Sequence, residues 1–249
     1  MEFSSPLIRG ELVRRYKRFL SDVRLADGSV VVAHCANSGS MLSVDTPGSE
    51  VWLSEAVNPA RKLRYTWELL RVGDGYVGIN TSWPNALVAE AIRHGTIAEL
   101  AGYGALRREV RYGQNSRIDI LLEDETRPPC YVEVKNVTLC RNPGSGGLAE
   151  FPDAVTSRGA KHLVELSAMV AGGARAVMLY LVQRTDCASF AIAADIDPGY
   201  AEALHMAEKA GVEVLCYGCA VSPQAIAVTK PIPLAAHLLA GVKRATRKR

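Results

Sequence analysis

Three charged residues stand where charge is costly. Asp119 lies in the run Arg117-Ile-Asp119-Ile-Leu-Leu122, and Glu133 and Lys135 lie in Cys130-Tyr-Val-Glu133-Val-Lys135-Asn-Val137. Both runs are apolar and β-branched and read as strands, and an unpaired carboxylate buried in such a strand is expensive. Glu133 and Lys135 are two apart, so they share a strand face, with Val132 and Val134 on the other. A short connection over 123–129 makes the two strands neighbours and brings Asp119 beside Glu133. Two carboxylates, the Val134 carbonyl and water suit a hard divalent ion such as Mg²⁺ or Mn²⁺. Such an ion polarises a phosphodiester and lowers the pKa of water. Lys135 then orients that water or offsets charge developing on the phosphate. Glu90, in a helical stretch upstream, is a candidate further acid and metal ligand. The same residues also fit a buried Asp119–Lys135 ion pair joining two strands. Pattern alone leaves both readings open.

Basic groups flank this constellation. Arg14, Arg15, Lys17 and Arg18 are interleaved with Tyr16 and followed by Phe19, and Arg107, Arg108 and Arg111 precede Tyr112 and Arg117. Cations among aromatics suit phosphates and stacked bases. Either group alone reads as a solvated face. Two groups around one candidate metal site point to a nucleic-acid partner. The basic tail Lys243-Arg-Ala-Thr-Arg-Lys-Arg249 reads as a solvated end with at most a secondary phosphate contact. His34 before Asn37-Ser-Gly-Ser-Met41 has neither an Asp partner nor a nucleophile elbow, and reads as part of a structural loop. Cys216-Tyr-Gly-Cys219 lacks a second ligand pair for zinc and is placed at the end of a strand over 212–216, which favours structural thiols over a redox or metal role.

The elements that must position these residues change character near Trp83-Pro84. Before it, apolar alternation over 13–25, 30–34, 51–53, 65–72 and 76–79, with turns at Asp27-Gly28 and Gly73-Asp-Gly75, predicts an all-β barrel of OB type, a common nucleic-acid module. After it, helical periodicity over 85–92, 156–170 and 200–210 alternates with strands, each helix being followed by glycine. That alternation predicts an α/β domain with a mixed sheet. The expected division is a barrel over 1–83, an α/β domain over 84–242 and a tail over 243–249. Of the 249 residues, 48% are hydrophobic and 22% charged, with a net charge of +3. This is ordinary globular composition, so local clusters and not overall charge must argue for nucleic acid. No apolar run reaches membrane-spanning length and no leader pattern opens the sequence, so no membrane association and a cytoplasmic location are expected.

Across nearly its whole length the chain resembles the bacterial and archaeal sugar fermentation stimulation protein A (SfsA) family. The resemblance is carried by Arg15-Tyr-Lys-Arg-Phe-Leu20, Ala33-His-Cys-Ala-Asn-Ser-Gly-Ser-Met41, Tyr65-Thr-Trp-Glu-Leu69, Ser116-Arg-Ile-Asp119, Tyr131-Val-Glu-Val-Lys-Asn-Val-Thr138, Phe151-Pro-Asp-Ala-Val-Thr156, Arg158-Gly-Ala-Lys-His-Leu163 and Val182-Gln-Arg184. It implies an N-terminal OB-like domain and a C-terminal domain of the PD-(D/E)xK nuclease fold. It further implies DNA as partner and a link to sugar (maltose) metabolism, and leaves open both a nuclease and a non-catalytic DNA-binding regulatory protein that retains the nuclease fold; a sugar ligand is not expected, and a homodimer is allowed. Asp119, Glu133 and Lys135 match the nuclease motif, although no proline precedes the aspartate. Glu90 matches the helical acid less closely. Lys161 and Gln183 fall where such folds place extra active-site polar groups, Gln183 as a catalytic candidate and Lys161 as a nucleic-acid contact.

Overall fold

Alternating apolar residues lay down the first third of the chain as strands, and tight turns fold them back on one another. The computed structural model describes residues 1–58, 60–113, 116–144 and 146–235. In it, β1 (Ile8–Tyr16), β2 (Leu20–Leu25), β3 (Val30–Cys35), β4 (Glu50–Glu55), β5 (Tyr65–Val72) and β6 (Gly75–Gly78) pair in the order β3-β2-β1-β4-β5-β6. A parallel pairing of β3 with β5, Ala33 opposite Tyr65, closes the first five strands into the expected OB-like barrel. Closure hides sheet edges. The interior is filled by Leu12, Val23, Val51, Leu53, Trp67 and Leu70. The run over 13–25, read as continuous alternation, is split by a turn at Lys17 and Arg18 with φ 49° and 64°. Glycine or asparagine usually marks left-handed backbone of this kind, so the sequence carried no turn signal there.

The second domain begins with α1 (Pro84–Arg93), whose proline sits in the first turn, where a missing N–H costs nothing. Then follow β7 (Ala105–Tyr112), β8 (Ser116–Glu123), β9 (Cys130–Val137), β10 (Gly147–Phe151), α2 (Ser157–Ala171), β11 (Arg175–Val182), β12 (Cys187–Ile192), α3 (Pro198–Lys209), β13 (Glu213–Val221) and β14 (Ile226–Pro231). Six of these strands form a mixed sheet in the order β14-β13-β11-β9-β8-β7, and β10 pairs with β12 separately. The centre, β9-β11-β13, is parallel. Helix α1 covers one face, with Leu87 and Val88 against Ile120 and Val132. Helices α2 and α3 cover the other, with Leu163, Leu166 and Tyr200 against Met178 and Tyr180. A sheet covered on both faces explains why β11 is buried almost throughout. This is the arrangement of a restriction-endonuclease-like domain. Among the described residues no helix is long and apolar enough to cross a membrane.

The two units are packed together. Trp52 and Leu69 of the barrel enter the core under α1. The Gly78 N–H donates to the Gln183 carbonyl at 2.8 Å, and the Tyr76 N–H to Thr185 Oγ1 at 3.0 Å. The amino terminus, expected with the barrel, runs beside the second domain instead: the Ile226 N–H donates to the Met1 carbonyl at 3.0 Å. Cys216 and Cys219 both lie inside β13, not at its end. They are buried in the cores on opposite faces of the sheet. Burial raises both thiols, Cys219 to about 12. The basic tail lies outside the described residues.

Candidate functional site

The site forms where β8 and β9 part. Their last ladder pair is Ile120 with Val132. One residue further, the Asp119 carboxylate replaces the ladder: its Oδ2 accepts the Val134 N–H at 2.8 Å. Its Oδ1 accepts from the Asn85 side-chain amide, also at 2.8 Å, so the first turn of α1 fixes the other oxygen. Glu133 is 2% exposed. Its Oε1 receives Lys135 Nζ at 2.6 Å and also the His162 ring at Nδ1. Its Oε2 is buried with no hydrogen-bond partner. A bare, buried carboxylate oxygen is costly, and Glu133 lines, together with Asp119 and Lys135, a cleft of about 380 Å³.

The two acids differ in state. Burial, then the neighbouring Glu133 charge, raise Asp119 to about 6 against weaker help from the Val134 N–H, Lys135 and Asn85. Burial also pushes Glu133 up, but the His162 bond and Lys135 outweigh it and hold Glu133 below its ordinary value. The expected buried pair therefore joins Lys135 to Glu133, not to Asp119. The donor set is hard oxygen, which suits Mg²⁺, Mn²⁺ or Ca²⁺. Among the described residues no group of three or more His, Cys, Asp or Glu side chains forms a ready-made cage. Two carboxylates with one oxygen unsatisfied fit an ion that keeps several waters.

Not every expected residue joins the cleft. Glu90 does not: five residues beyond Asn85 on α1, about 140° around the helix, its Oε2 takes the Met1 ammonium at 3.0 Å. Gln183 is fully buried behind the cleft and donates to Asn136 Oδ1 at 2.7 Å. Lys161 pairs with Glu165 at 3.6 Å on α2, while Arg158 and His162 of that helix line the cleft. Sequence reasoning missed Asn85, Arg158 and His162. The signal for the last two was their spacing of four, which puts them on one helical face.

The basic groups divide likewise. Arg14 is spent on Asp22 at 2.7 Å, and Arg107 on Glu123 through two bonds of 2.7 and 2.8 Å. Arg15 turns inward and donates to the carbonyls of Asn37, Gly39 and Ser40. Lys17 and Arg18 are exposed at the β1–β2 turn, and Arg108, Arg111 and Arg117 are exposed on β7 and β8. Arg111 and Arg117 face each other across the ladder and line a second depression. A cavity of about 560 Å³ on the barrel is an apolar groove between Leu20, Val31, Leu63 and Tyr65 that contains no acid.

A family model described as "SfsA N-terminal OB domain" matches residues 13–79, and one described as "Sugar fermentation stimulation protein RE domain" matches residues 82–225. A sugar fermentation stimulation protein homolog of Rhodospirillum rubrum is 62% identical over 244 residues, covering 95% of this chain and 100% of that protein. One from Rhodospirillum centenum is 61% identical over 236 residues, covering 95% and 100%. The solved structure of Pyrococcus furiosus SfsA in complex with Ca²⁺ superposes with a TM-score of 0.83 at 27% identity, over 94% of this chain and 98% of that one. The chain belongs to the sugar fermentation stimulation protein (SfsA) family.

Proposed function

We propose that this protein binds DNA and hydrolyses phosphodiester bonds with the help of a divalent cation, Mg²⁺ or Mn²⁺. The observation that carries the reading is that two carboxylates, Asp119 and Glu133, line one open cleft, with Oε2 of Glu133 left without a hydrogen-bond partner. Asp119 and Glu133 would hold the ion, and a related protein has been solved with Ca²⁺. The ion would supply Lewis acidity toward the phosphodiester and lower the pKa of water. His162 orients Glu133 by occupying Oε1, which leaves Oε2 without a partner. Asn85 and the Val134 N–H fix the Asp119 carboxylate in place. Lys135, 15% exposed at its side chain, pairs with Glu133 and lines the cleft, where its ammonium can offset charge on a phosphate. The exposed cations Lys17, Arg18, Arg108, Arg111 and Arg117 would carry the salt-dependent part of DNA binding.

The test is a cleavage panel over duplex, single-stranded and branched DNA with Mg²⁺ and Mn²⁺. Cleavage that is lost in Lys135→Ala supports the assignment. Activity surviving that substitution removes Lys135 from it, and salt-sensitive binding with no cleavage in either metal leaves a DNA-binding protein on a nuclease fold.

A further inference from the structure

The cleft has an acidic floor and a rim of opposite character, and part of that rim comes from the barrel. On the side of the second domain, α2 begins at the cleft with Thr156, Arg158 and Gly159. Arg158 is exposed, its Nε is 3.4 Å from His162 Nε2, and among the described residues no carboxylate pairs with it. The barrel contributes Asn37, Ser38 and Gly39. That loop is fixed from both units. Arg15 donates to the carbonyls of Asn37 at 3.0 Å and Gly39 at 2.8 Å. Across the domain boundary, Asp153 Oδ2 accepts the Met41 N–H at 2.9 Å, and Ser40 Oγ donates to the Asp153 carbonyl at 2.6 Å. A Cβ on Gly39 would come within 2.9 Å of Asp153 Oδ2, so a side chain there would displace the Asp153 carboxylate. These bonds consume much of the loop's polarity. Ser38 is the exception: it is exposed in the cleft wall, and its hydroxyl has no bond among the described residues.

We propose that Ser38 and Arg158 form a phosphate subsite beside the acids, so that the barrel supplies part of the reaction centre as well as a grip on the strand. The proposal rests on the nuclease reading of the cleft. A polynucleotide brings a phosphate with every nucleotide, and the acidic floor repels all of them unless a cation intervenes. A guanidinium and a free hydroxyl at the rim take a phosphate directly, the former by charge-assisted hydrogen bonds. The amino-terminal turns of α1 and α2 also open on this cleft and add partial positive charge to the rim. Ser38 and Arg158 are positioning residues: they hold the strand so that one linkage lies over Asp119 and Glu133.

The test uses the full chain and a short fluorescent single-stranded oligonucleotide, with affinity read by anisotropy in Ca²⁺ and in EDTA. Arg158→Ala and Ser38→Asp each change an exposed side chain, and a thermal melt checks that the fold is kept. Each should weaken binding about tenfold, and Arg158→Ala should lower the salt slope by about one. A neutral methylphosphonate walked along the oligonucleotide should hurt the wild type most at one linkage. Arg158→Ala should be indifferent to that linkage. Variants that bind like the wild type, or a wild type equally sensitive at every linkage, would overturn the subsite. Tight, position-dependent binding without cleavage in any metal would sink the nuclease reading and leave the subsite standing, whereas a wild type that binds no oligonucleotide sinks both.

Discussion

The Asn85 side-chain amide lies 2.8 Å from Oδ1 of Asp119, so this half-buried acid is met by a neutral donor and not by a cation. The one ammonium nearby, on Lys135, is engaged with Glu133. Burial and the neighbouring Glu133 charge outweigh these donors, and Asp119 is raised from 3.8 to about 6. A folded-state pKa above the unfolded one contributes stability that is complete below about pH 4 and lost as pH rises through about 6. A shift of this size corresponds to about 3 kcal/mol. In metal-free buffer Asp119→Asn should therefore be more stable than the wild type at pH 8, by up to about 3 kcal/mol. The advantage should fade toward pH 4. Urea denaturation at both values decides it, and a gain equal at both would show that charge is not the cause.

A divalent cation should reverse that cost. At a hundred times its dissociation constant, a ligand bound only by the folded state stabilises by about 2.7 kcal/mol. Mg²⁺, Mn²⁺ or Ca²⁺ should raise the thermal midpoint of the wild type at pH 8. The same titration should leave Asp119→Asn and Glu133→Gln unmoved. An equal response in all three would place the ion elsewhere.

His162 is expected to matter through Glu133. Its ring occupies Oε1, which leaves Oε2 as the available acceptor. Removing a side chain that orients a metal-binding carboxylate typically lowers affinity about 10- to 100-fold. Calorimetric titration of Mn²⁺ should show a loss of that order in His162→Ala, with part recovered in His162→Gln. Unchanged affinity in His162→Ala would reduce the ring to packing.

The motif on β8 and β9 was legible because charge in an apolar strand has few explanations, and the change of pattern at Trp83-Pro84 coincides with the start of α1. The partners of the motif were harder to read. Asn85 and His162 reach the acids only once α1 and α2 lie on opposite faces of the sheet, and a neutral amide or a lone histidine in a helix gives no signal of that. Glu90 misled for the converse reason: an acid on the right helix reads as a ligand until the helical phase is known. Strand β7, Ala105-Leu-Arg-Arg-Glu-Val-Arg-Tyr112, hid behind its own charge. It is an edge strand exposed along most of its length, so alternation was absent.

Arg15 was expected on DNA, and its position predicts a different phenotype. Its side chain is only 11% exposed and its guanidinium holds the loop that carries Ser38, donating to Asn37 and Gly39 at 3.0 and 2.8 Å. Neighbouring Arg14 is 66% exposed and pairs with Asp22 at the surface. Surface pairs contribute little, about 0–1 kcal/mol, while hydrogen bonds from a charged donor to buried acceptors contribute about 1.5–3 kcal/mol. Arg15→Ala should therefore lower stability in urea by about 2–3 kcal/mol, and Arg14→Ala by clearly less. Arg15→Lys should recover only part of the loss, because a single ammonium cannot reproduce the planar fork that reaches separate carbonyls. If Arg15→Ala costs no more than Arg14→Ala but weakens DNA binding with a reduced salt slope, the guanidinium leaves the loop to meet phosphate, and the wall of the cleft is held by its other hydrogen bonds, those to Asp153 among them.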